Sequence, residues 1–447
     1  MYSRFIDRTH NRLPHFARAT KLILAAFILL LASTTAFPRA AAQTVLCTRP
    51  YQHVATPLND LGTGEYIRMD GQATGFSGGL YLNGSNQPPA AHAAAGLDLA
   101  RSITPLAPDG SPDPNGKIVM ISTGMSNAQM EFGRFVEIAN QDNRVNPQLV
   151  IINGAIANMT ADRWSNPDPN LSPWDELNRR LQQAGVTPAQ VQVAWTKNTL
   201  VQGGDFPAKA EELQGHLETI ARLLKTNFPN LKIAYFSSRT RSYLYERGLS
   251  PEPVAYETGY AVRWMITKQI DGDPTLNFDP ANGQVDAPYL AWGPYLWADG
   301  TQPRSDGLTW LPEDMVEDCT HPSSSGINKV AGLLMDFFTT DPTAVPWFLA
   351  GNSPNPTPTP NPSATPPPPE NPTRTILPMI MGSQTPTVSP AQAVQAGATS
   401  PAAKPTMSGG DIPSGLSGAS RALLIGTAVS GIVVVLVVCV AIILRRR

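Results

Sequence analysis

"ISTGMSNAQMEF", residues 121 to 132, runs from an apolar stretch through a glycine into a run of helix formers, with Ser126 at the joint. Just before it, "KIVMIST" (117–123) is strand-like; just after it, Ala128, Phe132, Phe135, Val136 and Ala139 share one helical face. Strand, turn and helix is the repeating unit of α/β proteins, and the surrounding text repeats it. Strand-like runs recur at "QLVIING" (148–154), "VQVAWTK" (191–197), "LKIAYFS" (231–237) and "APYLAWG" (287–293). Between them, 209–225 sets Leu213, Leu217, Ile220, Ala221 and Leu224 along one oily side. Near-continuous apolar strands alternating with amphipathic helices predict a three-layer, doubly wound, mostly parallel sheet, whose functional loops follow the carboxyl ends of the strands.

Ser126 then has two readings, a helix N-cap or a nucleophile. Serine is among the commonest caps. To act as a nucleophile it needs a base, and histidine is the usual one near neutral pH. Between residues 43 and 350 there are four histidines: His53, His92, His216 and His321. His216 lies off the apolar face of its helix and is expected in solvent, and His53 and His92, in a weakly patterned region, are expected at the surface. His321 differs, because "EDCTHPSSSGINKVAGLLMDFF" (317–338) places Asp318 three residues before it and an amphipathic helix after it. A carboxylate and an imidazole in one short loop can meet, fixing the ring's tautomer.

The order of these blocks resembles the SGNH/GDSL hydrolases, serine esterases with the nucleophile in the first block and D-x-x-H in the last. The resemblance spans about residues 117–340, and "GMSN" (124–127) is similar to the G-Q-S-N of a carbohydrate-esterase branch. It implies a flavodoxin-like fold and a triad of Ser126, His321 and Asp318. It further implies an oxyanion hole from Ser126, Gly154 in "IINGAIAN" and Asn198 in "VAWTKN". The chain departs from the pattern at Met125, where most relatives have Asp or Gln, and at Lys197-Asn198, where they have Gly-x-Asn-Asp. The implied function is hydrolysis of small O-acyl esters, such as acetyl groups on glycans. A non-catalytic carbohydrate-binding or adhesion module on the same fold is the alternative.

The rest of the chain suggests where this domain works. Residues 1–42 carry Arg4, Arg8, Arg12, Arg18 and Lys21 ahead of "LILAAFILLLA" and a small-residue cleavage text, which reads as a signal peptide, with an uncleaved anchor as the alternative. Residues 351–420 contain 16 prolines and form a disordered stalk by composition. Residues 421–447 hold 23 almost wholly apolar residues, Ala422 to Leu444, before Arg445, Arg446 and Arg447; this predicts a transmembrane helix with a cytoplasmic arginine tail. A sorting signal that is clipped off is the alternative. Residues 43–350 are left for the folded domain, with 43–115 as an elaboration packed on a 116–350 core.

In an exported domain, Cys47 and Cys319 are expected to form a disulfide, ahead of two free thiols or a cysteine nucleophile. The net charge of −2 gives no basic surface for nucleic acid, and no residue cluster has metal-ligand spacing, so neither metal nor cofactor is expected. An acyl ester or acylated glycan is the expected partner, with the membrane through the terminal helix; no protein partner is indicated. Arg239 and Arg241 in "SSRTRSYLYER" are expected in solvent rather than lining a cleft, and Trp292, Tyr295 and Trp297 in the core rather than forming a sugar platform.

Overall fold

The computed structural model describes residues 45–166, 172–245 and 247–351. The segments expected to be a signal peptide (1–42), a stalk (351–420) and a transmembrane helix (421–447) lie outside the described residues, apart from Gly351. Among the described residues no helix is long and apolar enough to cross a membrane.

Ahead of the core, a one-turn helix (Leu58–Leu61) leads into a short antiparallel pair, β1 (Glu65–Ile67) and β2 (Ala73–Ser77), followed by α1 (Ala90–Arg101). The core then alternates: β3 (Ile118–Gly124), α2 (Ser126–Ala139), β4 (Leu149–Ile152), α3 (Trp174–Gln183), β5 (Val191–Lys197) and α4 (Ala208–Asn227). It ends with β6 (Ile233–Phe236), α5 (Val254–Ile270), β7 (Tyr289–Trp292) and α6 (Ser324–Thr340). The five strands β3 to β7 form one parallel sheet in the order β4-β3-β5-β6-β7. That is the doubly wound order with its switch point between β3 and β5, the strands that lead to Ser126 and Asn198.

Alternation along each strand sends side chains to two separate cores. Val119, Ile121, Ala194 and Ala234 face one, with Leu177, Leu217, Ile220 and Tyr260 from α3, α4 and α5. Ile118, Met120, Val193 and Ile233 face the other, with Phe132 and Phe135 of α2, Leu334 and Phe338 of α6, and Ala100 of α1. Burying one leucine such as Leu217 contributes about 2 kcal/mol, so the two helix layers are held by many equivalent increments. The region before β3 packs on this sheet: Tyr289 stacks on His92, and a side-chain carbon on Gly96 would come within 2.6 Å of the Tyr289 ring or hydroxyl.

Candidate active site

β3 ends on Gly124, whose φ of +147° and close approach leave no room for a side chain. A Cβ there would sit 2.4 Å from the Lys197 carbonyl and 2.7 Å from Ala128. The chain turns at this point straight into α2, whose first helical residue is Ser126, while Met125 occupies the capping position without a side-chain cap. The hydroxyl of Ser126 therefore does not cap the helix. It lies 2.7 Å from His321 Nε2.

His321 belongs to the loop before α6, and the packing of α2 beside α6, with the Phe135 and Phe338 rings 5.4 Å apart, brings the two helix starts together. Within the loop, Asp318 Oδ1 accepts the backbone N–H groups of Thr320 (3.0 Å) and His321 (2.9 Å), and Oδ2 lies 2.5 Å from His321 Nδ1. With the Nδ1 proton held by the carboxylate, Nε2 presents a lone pair to the serine. Burial alone pushes the Asp318 carboxyl upward, but the hydrogen bonds from the His321 ring and from the amides of His321 and Thr320 overcome it and hold the group at about 2. Asp318 is thus a carboxylate at any pH near neutrality.

The structure brings Ser126, His321 and Asp318 into one chain of hydrogen bonds. The loop is fastened from several sides: Asn127 Nδ2 donates to the Thr320 carbonyl (2.8 Å), Thr320 Oγ1 to the Leu249 carbonyl (3.0 Å), and Tyr243 N to the Cys319 carbonyl (2.9 Å). Cys319 is bonded to Cys47 across 272 residues of sequence, so neither sulfur is a free thiol.

Asn198 follows β5 directly, and since Gly124 pairs with Lys197 in the β3–β5 register, it stands beside the turn that carries Ser126. It is buried; its Oδ1 accepts the N–H of Thr199, and its Nδ2 has no hydrogen-bond partner. Gly154 is differently placed with respect to its amide, which donates to Ser122 Oγ at 3.1 Å. Its glycine identity has a packing cause, because a Cβ would meet the Ser122 carbonyl at 2.4 Å and Leu177 at 2.5 Å.

Several groups near the site were not foreseen from sequence. Lys197 Nζ lies 2.7 and 2.5 Å from the two carboxylate oxygens of Glu131, both residues fully buried, linking the end of β5 to the second turn of α2. Burial pushes the Lys197 ammonium down to about 8 against the opposing pull of Glu131. Arg239 and Arg241 are not in solvent but wholly buried. Arg239 donates to Thr320 Oγ1 at 3.3 Å behind the His321 loop, and Arg241 pairs with Asp299 beneath Tyr51, Tyr243 and Tyr245. Both follow β6 in a loop drawn into the core, which composition alone did not reveal.

The remaining histidines correct the surface expectation in part. His92 is buried, with Nε2 3.0 Å from the Leu290 carbonyl, and burial lowers its basicity. His216 is half-buried against Ser165 Oγ at 2.6 Å. His53 is mostly exposed, yet its Nδ1 lies 2.6 Å from Asp299. Trp292, Tyr295 and Trp297 pack in the core.

No protein-family model and no curated protein sequence matches the chain. Among solved structures it is similar to a protein of Arabidopsis thaliana, at 9% identity and TM-score 0.25, covering 47% of this chain and 66% of that one. It is also similar to a family two carbohydrate esterase of Clostridium thermocellum solved with cellohexaose, at 12% identity and TM-score 0.30, covering 51% of this chain and 65% of that one. A third is the C-terminal catalytic domain of Streptococcus pneumoniae peptidoglycan O-acetyltransferase A with a methylsulfonyl adduct, at 12% identity and TM-score 0.28, covering 52% and 96%. Likeness at this level carries no functional argument.

Proposed function

We propose that the chain is a serine hydrolase of O-acyl esters, on the single observation that Ser126 Oγ lies 2.7 Å from His321 Nε2 while the other ring nitrogen is held by Asp318. Ser126 Oγ attacks the ester carbonyl carbon as His321 Nε2 takes its proton. The bond to the alcohol breaks and His321 returns that proton to the departing oxygen. Water then attacks the acyl-serine by the same route, releasing the acid and restoring Ser126. The negative oxygen that develops at each step meets the Asn198 side-chain amide and the first-turn backbone amides of α2, which a helix leaves without intrahelical acceptors and where the helix dipole also favours negative charge. The substrate class, small acyl groups on carbohydrate, follows from the resemblance of "GMSN" to carbohydrate esterases. Export and retention by the C-terminal apolar segment complete the proposal: the full chain should sediment with membranes and resist carbonate extraction.

The engaged amide of Gly154 favours a second reading, a carbohydrate-binding module that has lost turnover. Full-length protein and Ser126→Ala, incubated with p-nitrophenyl acetate and with a fluorophosphonate probe, decide between them. An esterase hydrolyses the ester and is labelled only with Ser126 present. Equal rates in both proteins, or no labelling, would remove Ser126 from any catalysis.

A further inference from the structure

The end strand of the sheet, β7, borders a pocket of about 470 Å³ between α1 and the end of α6, a volume ordinary for small-molecule sites. Its lining residues fall within 80–97, 289–293 and 337–343, and every residue of these three segments is described. Most of what they present is carbon. Tyr289 donates its hydroxyl to the His92 carbonyl at 3.0 Å, and Trp292 donates its Nε1 to the Leu80 carbonyl at 2.8 Å. With their polar tips engaged elsewhere, both rings meet the pocket as apolar wall, beside Leu97 and Phe337.

Into this wall is set one charge. The three segments contain no lysine or arginine and a single acid, Asp341; the charged residues that directly flank them, Asp98 and Asp336, are acidic as well. The one imidazole, His92, is buried against the Leu290 carbonyl, and burial lowers its basicity. Asp341 Oδ1 accepts the amide (2.8 Å) and the hydroxyl (2.5 Å) of Thr343, whereas Oδ2 has no hydrogen-bond partner among the described residues and is not sealed in the core. Burial raises the Asp341 carboxyl against the pull of the two Thr343 bonds, and no basic side chain offsets it. Tyr81, which is 7% exposed, stands close by: burial first, and then the Asp341 charge, push its phenol above the ordinary range, while the Trp292 amide faces its oxygen. A carboxylate partly withdrawn from water with no cation beside it is destabilised, and a ligand that brings positive charge relieves it. Aromatic walls favour the same sign. A neutral sugar would leave the charge unmatched.

We propose that this pocket binds a small organic ammonium ion with an apolar body, its nitrogen against Asp341 Oδ2 and its carbon framework against Trp292, Phe337 and Leu97. The proposal is independent of the esterase reading, and Ser126→Ala should bind the amine as wild type does. The full chain is titrated by calorimetry with benzylammonium and its neutral isostere benzyl alcohol, and with glucosamine and glucose. Benzylammonium should bind at least tenfold more tightly than benzyl alcohol, glucosamine more tightly than glucose, and both cations less tightly as salt is added. Asp341→Asn keeps an oxygen for the Thr343 amide and removes the charge, so benzylammonium binding should fall at least tenfold at an unchanged Tm. Ala94→Trp, on the exposed side of α1 in the pocket lining, fills the volume without touching Asp341 and should abolish binding, which keeps the test decisive if Asp341→Asn does not fold. Equal affinity for benzylammonium and benzyl alcohol would reduce the site to an apolar cavity and overturn the proposal. So would glucose binding as well as glucosamine, or amine binding retained in folded Asp341→Asn or Ala94→Trp.

Discussion

Asn127 Nδ2 donates to the carbonyl of Thr320 at 2.8 Å, joining the residue after Ser126 to the residue before His321. Both partners are buried, so the bond fixes the distance between hydroxyl and imidazole from behind. Asn127→Ala leaves a buried carbonyl without its donor, at a cost of about 1–3 kcal/mol, and frees the loop. The expected result is a lower Tm and a kcat reduced tenfold or more at nearly constant KM. Wild-type kcat in a destabilised Asn127→Ala would separate this bond from catalysis.

Asn198 carries the opposite signature, a buried donor without a partner in the resting protein. A group whose hydrogen bond forms only when an oxyanion develops acts on the barrier rather than on the fold. Asn198→Ala should therefore lower kcat by about 10²–10³, with only the modest loss of Tm that follows from orphaning the Thr199 N–H its Oδ1 accepts. A large loss of Tm with kcat retained would show that the side chain is structural.

Lys197 and Glu131 form the buried pair that ties β5 to α2 just beneath both of those residues. Breaking it with Glu131→Gln strands an ammonium in the core and should cost about 3–5 kcal/mol, whereas Lys197→Met with Glu131→Leu should recover most of that. The folded protein holds the Lys197 proton less firmly than the unfolded chain, about 8 against the ordinary 10.5. The unfolded state thus binds more protons between those values, and stability should rise with pH across that window in wild type. Denaturant midpoints from pH 7 to 11 that are flat in wild type, or rise equally in the double variant, would sink the assignment.

What the sequence disclosed and what it hid divide along physical lines. The period of the apolar residues exposed the five parallel strands, because a doubly covered strand is largely apolar, as Ile118–Gly124 is over its first four residues. Ser126 and the Asp318–His321 loop were legible because each lies in one short segment with a helix behind it, and the disulfide because Cys47 and Cys319 are the two cysteines between residues 43 and 350. The groups that hold the site were not, since their partners are distant in sequence: Asn127 meets Thr320, Lys197 meets Glu131, and Arg239 reaches Thr320. Charged text such as "SSRTRS" reads as a solvated loop unless something reveals that Glu252 and Asp299 wait in the interior to receive it. The amide of Gly154 shows the same limit, because its engagement by Ser122 is a matter of side-chain rotamer rather than of pattern.

The Cys47–Cys319 bond closes a loop of 272 residues and fastens the first described segment to the His321 loop. By loop-closure entropy it stabilises by about 5 kcal/mol at most. Cys47→Ser with Cys319→Ser should therefore unfold at a clearly lower denaturant concentration and lose kcat by loosening His321. Thiol titration of the denatured, unreduced full chain should find one free thiol, that of Cys439, and three reactive thiols would overturn the bond.

Asp318 supplies the sharpest dependence on pH. Its carboxyl titrates at about 2 in the folded protein against 3.8 ordinarily, so the folded state favours the charged form, and between those values the unfolded chain binds more protons. The contribution is complete above about pH 4, declines as pH falls toward about 2, and is gone below it. Asp318→Asn keeps an oxygen for the amides of Thr320 and His321 but removes the charge from the imidazole. Its stability should fall short of wild type by a constant amount above pH 4, with the gap closing between pH 4 and pH 2, while kcat at neutral pH drops by about 100-fold or more because the ring loses its fixed tautomer. Acid unfolding curves whose separation is unchanged down to pH 2 would show that the Asp318 charge does not bear on the fold, and an unchanged kcat would show that His321 is oriented by something other than Asp318.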